Sequence, residues 1–233
     1  MDSLPQELIE AIIDILPRPS LPSSSLIAKR WRMRSQQRMF GSIIFRAQDE
    51  VDRWYSDTQK GQNAIPSCIR SAEFRNVVSW DEPALFGRVL KSFCSLETLS
   101  VSISAIPDEL PGQILRGEFS SGITSLSLRF PLCQLSTITS MILALPDLKK
   151  LTVTLTEARS EQPLPTVPIA SQRGPLDLLE LYFYTDGVAE ALIQAQFTSR
   201  YISLGGAISS VDRLLAISSK ILVSLTLDGA WFL

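Results

Sequence analysis

Histidine is absent from the 233 residues of this chain. No imidazole is therefore available as a general base, as the partner of a serine or cysteine nucleophile, or as a zinc ligand. Cysteine is scarce: Cys68, Cys94 and Cys133 lie far apart and form no C-x-x-C pair. Three scattered thiols read as small buried hydrophobes in a reducing compartment, not as a disulfide framework or metal site. There is no N-x-S/T glycosylation acceptor. No apolar run approaches the roughly 18 residues that span a bilayer, so no membrane partner is expected. The start carries Asp2 and Glu7 without a basic stretch, which excludes the form of a secretory signal. Neither sign of charge dominates: Lys and Arg number 22 against 24 Asp and Glu, a net charge of −2 that is too small for a broad nucleic-acid footprint. Apolar residues make up 45% and charged residues 20%, a balance that builds a core and excludes intrinsic disorder.

The first forty residues show strong helical patterning. Leu8, Ile9, Ile12, Ile13 and Leu16 form a wide apolar stripe at 3.6-residue spacing. Ser3 followed by Gln6 has capping-box form, and Pro5 suits a first turn. Pro17 and Pro19 stop this helix. A second short segment runs from Ser20 to Ala28 with Leu21, Leu26 and Ile27, and Pro22 requires that helix to begin there. A third carries Lys29-Arg30-Trp31-Arg32-Met33-Arg34, then Met39 and Phe40, with Ile43, Ile44 and Phe45 beyond. Three short helices without metal or disulfide bury little by themselves. Part of so broad a stripe is thus expected to dock on something else.

The pattern Leu4-Pro5-x-Glu7-Leu8-Ile9-x-x-Ile12-Ile13-x-x-Leu16, followed by Leu21 and by Ala28-Lys29-Arg30-Trp31, resembles an F-box over roughly residues 2–45. The resemblance implies binding to the Skp-type adaptor of a cullin-based ubiquitin ligase, in the cytoplasm or nucleus. It places Leu4, Pro5, Leu8, Ile12, Ile13, Leu16 and Leu21 on that adaptor and makes Trp31 a wedge between the helices. Ala28 departs from the cysteine often found there. The basic cluster Lys29, Arg30, Arg32, Arg34 and Arg38 allows an RNA-contacting helix or a solvated face, and the near-neutral chain favours the latter.

Beyond residue 69 an apolar pattern recurs. It reads Leu96-x-x-Leu99-x-Val101-x-Ile103, then Ile123-x-x-Leu126-x-Leu128-x-Phe130, Leu148-x-x-Leu151-x-Val153-x-Leu155, Leu176-x-x-Leu179-x-Leu181-x-Phe183 and Leu222-x-x-Leu225-x-Leu227. Weaker copies surround Ala72 and Ile202. Positions 72, 99, 126, 151, 179, 202 and 225 are spaced by 23 to 28 residues, within the range of leucine-rich repeats. Helical stripes lie between them: Leu85, Phe86, Val89, Leu90 and Phe93; Ile138, Met141, Ile142 and Leu145; Val188, Ala191 and Leu192; Val211, Leu214 and Leu215. Strand and helix alternating at a fixed period predict parallel strands with crossover helices. The fold class expected is α/β: a short three-helix F-box over 1–45, a linker over 46–68, and a leucine-rich-repeat-like solenoid over 69–233. The likeness to leucine-rich repeats is degenerate, because the turn asparagine is replaced by Ser104, Pro131, Thr156 and Tyr184, so the turns must satisfy their backbone groups otherwise. The combined layout resembles small proteins common in mushroom-forming fungi. Trp54 and Tyr55 anchor a short helix in the linker, and the proline-rich 156–175 reads as an exposed loop. Trp231-Phe232-Leu233 directly after a strand predicts a bare last face that another chain covers, or relatives that continue further.

Residues between the core positions point away from the helices. Among them Arg129, Glu180 and Tyr182 are the best candidates for binding a target protein, because arginine and tyrosine concentrate binding energy at interfaces. No catalytic residue, cofactor or metal is expected: Asp81-Glu82 and Asp108-Glu109 do not converge as neighbours in sequence, and Gly205-Gly206 lacks the rest of a phosphate loop. Three readings follow: a target-recruiting ligase subunit, a repeat scaffold without ubiquitin transfer, and an RNA-binding protein using the third helix.

Overall fold

The computed structural model describes residues 4–59, 65–77, 83–103, 122–134, 138, 141–142, 144–159, 174–183, 185–206 and 210–228. Three helices come first: α1 (Gln6–Ile15), α2 (Leu21–Ile27) and α3 (Lys29–Phe40), with a single 3-10 turn at Arg18–Ser20 before α2. Pro5 occupies the N-cap of α1, whose first turn closes without a side-chain cap. The capping box expected from Ser3 lies outside the described residues. Pro22 stands in the first turn of α2, where its missing N–H costs no helical bond. Ala28 is extended and starts α3, its carbonyl accepting the N–H groups of Trp31 and Arg32. A small residue is all this cap needs.

The remainder is an eight-stranded parallel sheet in sequential order, with helices between strands. The strands are β1 (Ser42–Phe45), β2 (Ser71–Val77), β3 (Thr98–Ile103), β4 (Ser125–Gln134), β5 (Lys150–Arg159), β6 (Leu176–Phe183), β7 (Ser199–Gly205) and β8 (Ser224–Asp228). The helices among the described residues are α4 (Gln48–Gln59), α5 (Pro83–Ser92), α6 (Asp186–Gln194) and α7 (Val211–Ser218). Ala72, Leu99, Leu126, Leu151, Leu179, Ile202 and Leu225 stand in one continuous row across seven strands. A second row joins Phe45, Phe74, Val101, Leu128, Val153, Leu181, Leu204 and Leu227. Both rows point to the helices, and their members on β2 to β7 are buried. Val89, Leu90, Phe93, Ile138, Met141, Ile142, Leu145, Val188, Leu192 and Leu214 close the same core from the helical side.

The sheet begins earlier than residue 69. Ser42–Phe45 is not part of the helical end but the first strand, with Ile43 paired to Ala72 and Phe45 to Phe74. Residues 46–68 are likewise not a bare link. They hold α4, and the ring of Trp54 meets Phe45 edge-on at 6.0 Å and Phe93 at 6.1 Å. Phe45 stacks on Phe74 at 5.0 Å, so an aromatic group binds the first unit to the second. Tyr55 lies under the Arg88 guanidinium at 5.4 Å. A four-residue strand with only two inward positions gives a weak periodic signal, which is why pattern reading starts one unit late.

The turns entering β2 to β6 solve their hydrogen bonding chiefly with main chain. The Gly41 carbonyl accepts the N–H groups of both Arg70 and Ser71, that of Arg70 accepts Glu97 and Thr98, that of Glu97 accepts Thr124 and Ser125, that of Thr124 accepts Lys149 and Lys150, and that of Lys149 accepts Asp177 and Leu178. One carbonyl thus serves two donors in each of these five units. The ladder needs no asparagine on this side of the strands. Of the residues expected in the turns after the strands, Pro131 and Thr156 instead lie within β4 and β5, while Ser104 and Tyr184 fall outside the described residues, as do the terminal Trp231, Phe232 and Leu233.

Candidate functional site

Two surfaces are built by this fold, one on the helices and one on the sheet. The helical surface starts from α1, whose ten residues carry two apolar stripes offset by about 100°. Ile9 and Ile13, followed one turn on by Leu16, face inward: Ile9 and Ile13 are fully buried with Leu21, and Leu4, Leu16, Trp31 and Met39 pack around them. Leu8, Ile12 and Ile15 repeat at the same spacing one residue earlier and face outward. Leu8 is 51% and Ile15 82% exposed, while Ile12 is half-buried.

Two of the residues expected on the adaptor, Ile13 and Leu21, are therefore interior. Their side chains are sealed within the chain itself and have no surface to offer. Leu4, Ile12 and Leu16 are half-buried, and Pro5 is exposed. Sequence reading took the stripe as one face, whereas a single-residue offset separates core from surface. It also missed Ile15, Leu26, Ile27 and Met33, which are 82%, 79%, 56% and 68% exposed. The signal for Ile15 was present in the Leu8, Ile12, Ile15 spacing.

The basic face of α3 is largely spent inside the helical part. Arg34 makes a bidentate pair with Asp14, Nε to Oδ1 at 2.8 Å and Nη2 to Oδ2 at 2.5 Å. That guanidinium donates to the Asp14 carboxylate and holds its pKa below the ordinary value. Arg38 donates through Nη1 to the carbonyls of Ile13 and Leu16, closing the C-terminal end of α1. Arg30 donates to the Gln6 side-chain carbonyl at 3.3 Å. Ser24 and Ser35, both buried, join α2 to α3 through an Oγ–Oγ hydrogen bond of 2.9 Å. Three of the five clustered cations thus hold helices together, which leaves little of the cluster for phosphate.

The second surface is the sheet face opposite the helices. Register places Glu73, Ser100, Ser127, Thr152, Glu180, Ser203 and Thr226 in one row, and Ser102, Arg129, Thr154, Tyr182, Gly205 and Asp228 in the next, beside Arg75. A pocket of about 470 Å³ opens over β2 to β5, with Glu73 and Arg75 at one end and Arg129 and Thr154 at the other. Glu73 and Arg75 neutralise each other through contacts of 2.6 and 2.8 Å, and the hydrogen bond from Arg75 lowers the Glu73 pKa. Arg129 is exposed and has no acidic partner among the described residues.

Of the three residues expected to bind a target, Arg129 and Tyr182 share a row with Thr154 between them, and Glu180 lies in the neighbouring row. They do not converge. Glu180 accepts a hydrogen bond from Thr152 at 2.8 Å, and Tyr182 reaches Ser203 at 3.2 Å. Sequence reading weighed Gly205 only as part of a phosphate loop and missed its place under an aromatic ring. A Cβ there would stand 2.5 Å from Cδ1 of Tyr182, so the ring lies directly over the glycine. A glycine inside a strand pattern is the sign of such an approach.

Among the described residues no group of three or more acidic, cysteine or histidine side chains is placed to hold a metal ion, and no helix is long and apolar enough to cross a membrane. Asp81-Glu82 and Asp108-Glu109 lie outside the described residues. Residues 1–41 match the F-box domain family. F-box domains typically bind Skp-type adaptors, and the proteins that carry them are generally non-catalytic. No curated protein matches the chain.

Proposed function

We propose that this chain recruits target proteins to a Skp-adaptor, cullin-based ubiquitin ligase, acting in the cytoplasm or nucleus. The helices α1 to α3 dock on the adaptor, and the sheet face, the inner wall of a leucine-rich-repeat-like solenoid, receives the target. The role needs no chemistry from the chain itself. One observation supports it above the others: Leu8, Ile15, Leu26, Ile27 and Met33 stay more than half exposed beside a helical core that is already closed. Scattered exposed apolar residues are ordinary, but five on about twenty-six residues of one small helical unit suit a partner surface. In this reading the adaptor contacts are Pro5, Leu8, Ile12 and Ile15 of the first helix, with Leu26, Ile27 and Met33, while Ile13 and Leu21 support them from beneath.

Gly41 suits this division of labour. It alone separates α3 from β1, and its carbonyl holds Arg70 and Ser71 at 2.9 Å each. A Cβ at this position would collide with the Gln37 carbonyl. The helical unit is thereby tied to the start of the sheet by main-chain bonds. Mixing the purified full chain with a Skp-type adaptor and a cullin tests the proposal. A stable three-component complex is expected. Capture of adaptor without cullin would support a scaffold without ubiquitin transfer instead, and no capture of adaptor would end the recruiting role.

A further inference from the structure

The sheet face is chemically uneven, and the unevenness specifies a ligand. Over β2 to β5 its side chains are charged or hydroxylic. Arg75 is neutralised by Glu73, whereas Arg129 is exposed and paired with no acid among the described residues. Its row neighbours are Ser102 on β3 and Thr154 on β5, whose hydroxyls bond to no other described residue. The acids of the adjoining row, Glu73 and Glu180, each stand two strands away, and Glu73 is paired with Arg75. A guanidinium that no described acid compensates, between hydroxyls that bond to no other described residue, attracts an anion and repels a cation. Two strands along the same row the chemistry changes. Tyr182 lies half-buried over Gly205 and is held by Ser203, so its ring is preset and costs little ordering on binding.

Resting on the reading of this face as the target-binding surface, we infer that it takes an extended peptide segment bearing an anionic side chain at Arg129 and an aromatic or bulky apolar side chain about three residues away at Tyr182. Two strand spacings separate these positions, roughly 10 Å, and an extended segment in the polyproline-II conformation advances about 3.1 Å per residue with three residues per turn, which turns side chains three apart to one face. A segment crossing the strands therefore brings every third side chain over this row. The open pocket of about 470 Å³ receives the anionic group. A carboxylate and a phosphorylated hydroxyl share the required chemistry.

Fluorescein-labelled decapeptides in a Gly-Ser background test this with the full chain. Position four carries Glu, phosphoserine or Ala, and position seven carries Phe or Ala. Fluorescence polarisation is expected to show about tenfold tighter binding when both features are present than when both are Ala. The Glu and phosphoserine arms distinguish the two sources of charge. Arg129→Gln removes the preference for the anion and keeps that for Phe, and Tyr182→Ala does the reverse. Both variants alter side chains on the open face, and unchanged circular dichroism melting verifies their folding. Equal binding of all peptides, no binding of any, or an anion preference that survives Arg129→Gln would overturn the inference. Adaptor capture is measured on the same samples. A chain that captures adaptor but does not discriminate the peptides defeats this inference alone, while one that discriminates the peptides but ignores adaptor defeats the recruiting proposal alone.

Discussion

The helical unit and the sheet spend their apolar residues in opposite ways. In the sheet, two rows of aliphatic and aromatic side chains are sealed beneath helices from β2 to β7, and the other face is polar. Among the described residues of the helical unit, Ile9, Ile13 and Leu21 are the fully buried apolar side chains, and Leu8, Ile15, Leu26, Ile27 and Met33 remain largely in solvent. The unit compensates with polar locks: Arg38 on the end of α1, Arg34 on Asp14, and Ser24 on Ser35. A repeating unit gains its core from identical neighbours. A single small unit has no such neighbours, so its surplus apolar surface implies a partner of another kind.

The sharpest break of this contrast comes from the sheet core. Phe74→Ala removes a fully buried ring stacked on Phe45 and should cost about 3–5 kcal/mol in denaturant unfolding. Ile13→Ala should cost about 2–4 kcal/mol and loosen α1 to α3, read by loss of hydrogen-exchange protection there. Ser35→Ala deletes one partner of the buried hydroxyl pair and should cost about 1 kcal/mol, because Ser24 keeps its bond to the Leu21 carbonyl.

The smallest effect is electrostatic. The folded pKa of Asp14 is depressed, chiefly by the hydrogen bond from Arg34. Its contribution is therefore present above the unfolded value near pH 4 and is lost as pH falls through the lower folded value. The pair is partly exposed, so the loss should stay below about 1 kcal/mol. Asp14→Asn should flatten that part of the acid limb in a pH series of unfolding midpoints, and an unchanged limb would assign it elsewhere.

Much of the sheet was legible because its signal is redundant. The seven positions picked by spacing stand in one hydrogen-bonded row, from Ala72 to Leu225. Each copy reinforces the others, and alternation then assigns Arg129, Glu180 and Tyr182 to the open face. The helical unit lacks such redundancy. A stripe of five apolar residues on α1 does not say which half faces inward, since Ile12 and Ile13 differ only by one step of helix rotation. That choice depends on where α2 and α3 pack, and this packing turns Ile13 and Leu21 inward. Polar tertiary bonds such as Arg38 to Leu16 join residues 22 apart and leave no local pattern. The role of Gly205 under Tyr182 is equally non-local, as it depends on the pairing of β6 with β7.

The outward stripe of α1 gives the most direct measurement. Titration of a purified Skp-type adaptor into the full chain, compared with Ile15→Asp, separates surface from core because Ile15 is 82% exposed. The variant should unfold within about 0.5 kcal/mol of the parent chain yet bind adaptor at least about tenfold more weakly. Equal affinities, in two chains of equal stability, would show that the exposed apolar face of α1 is not where the adaptor docks.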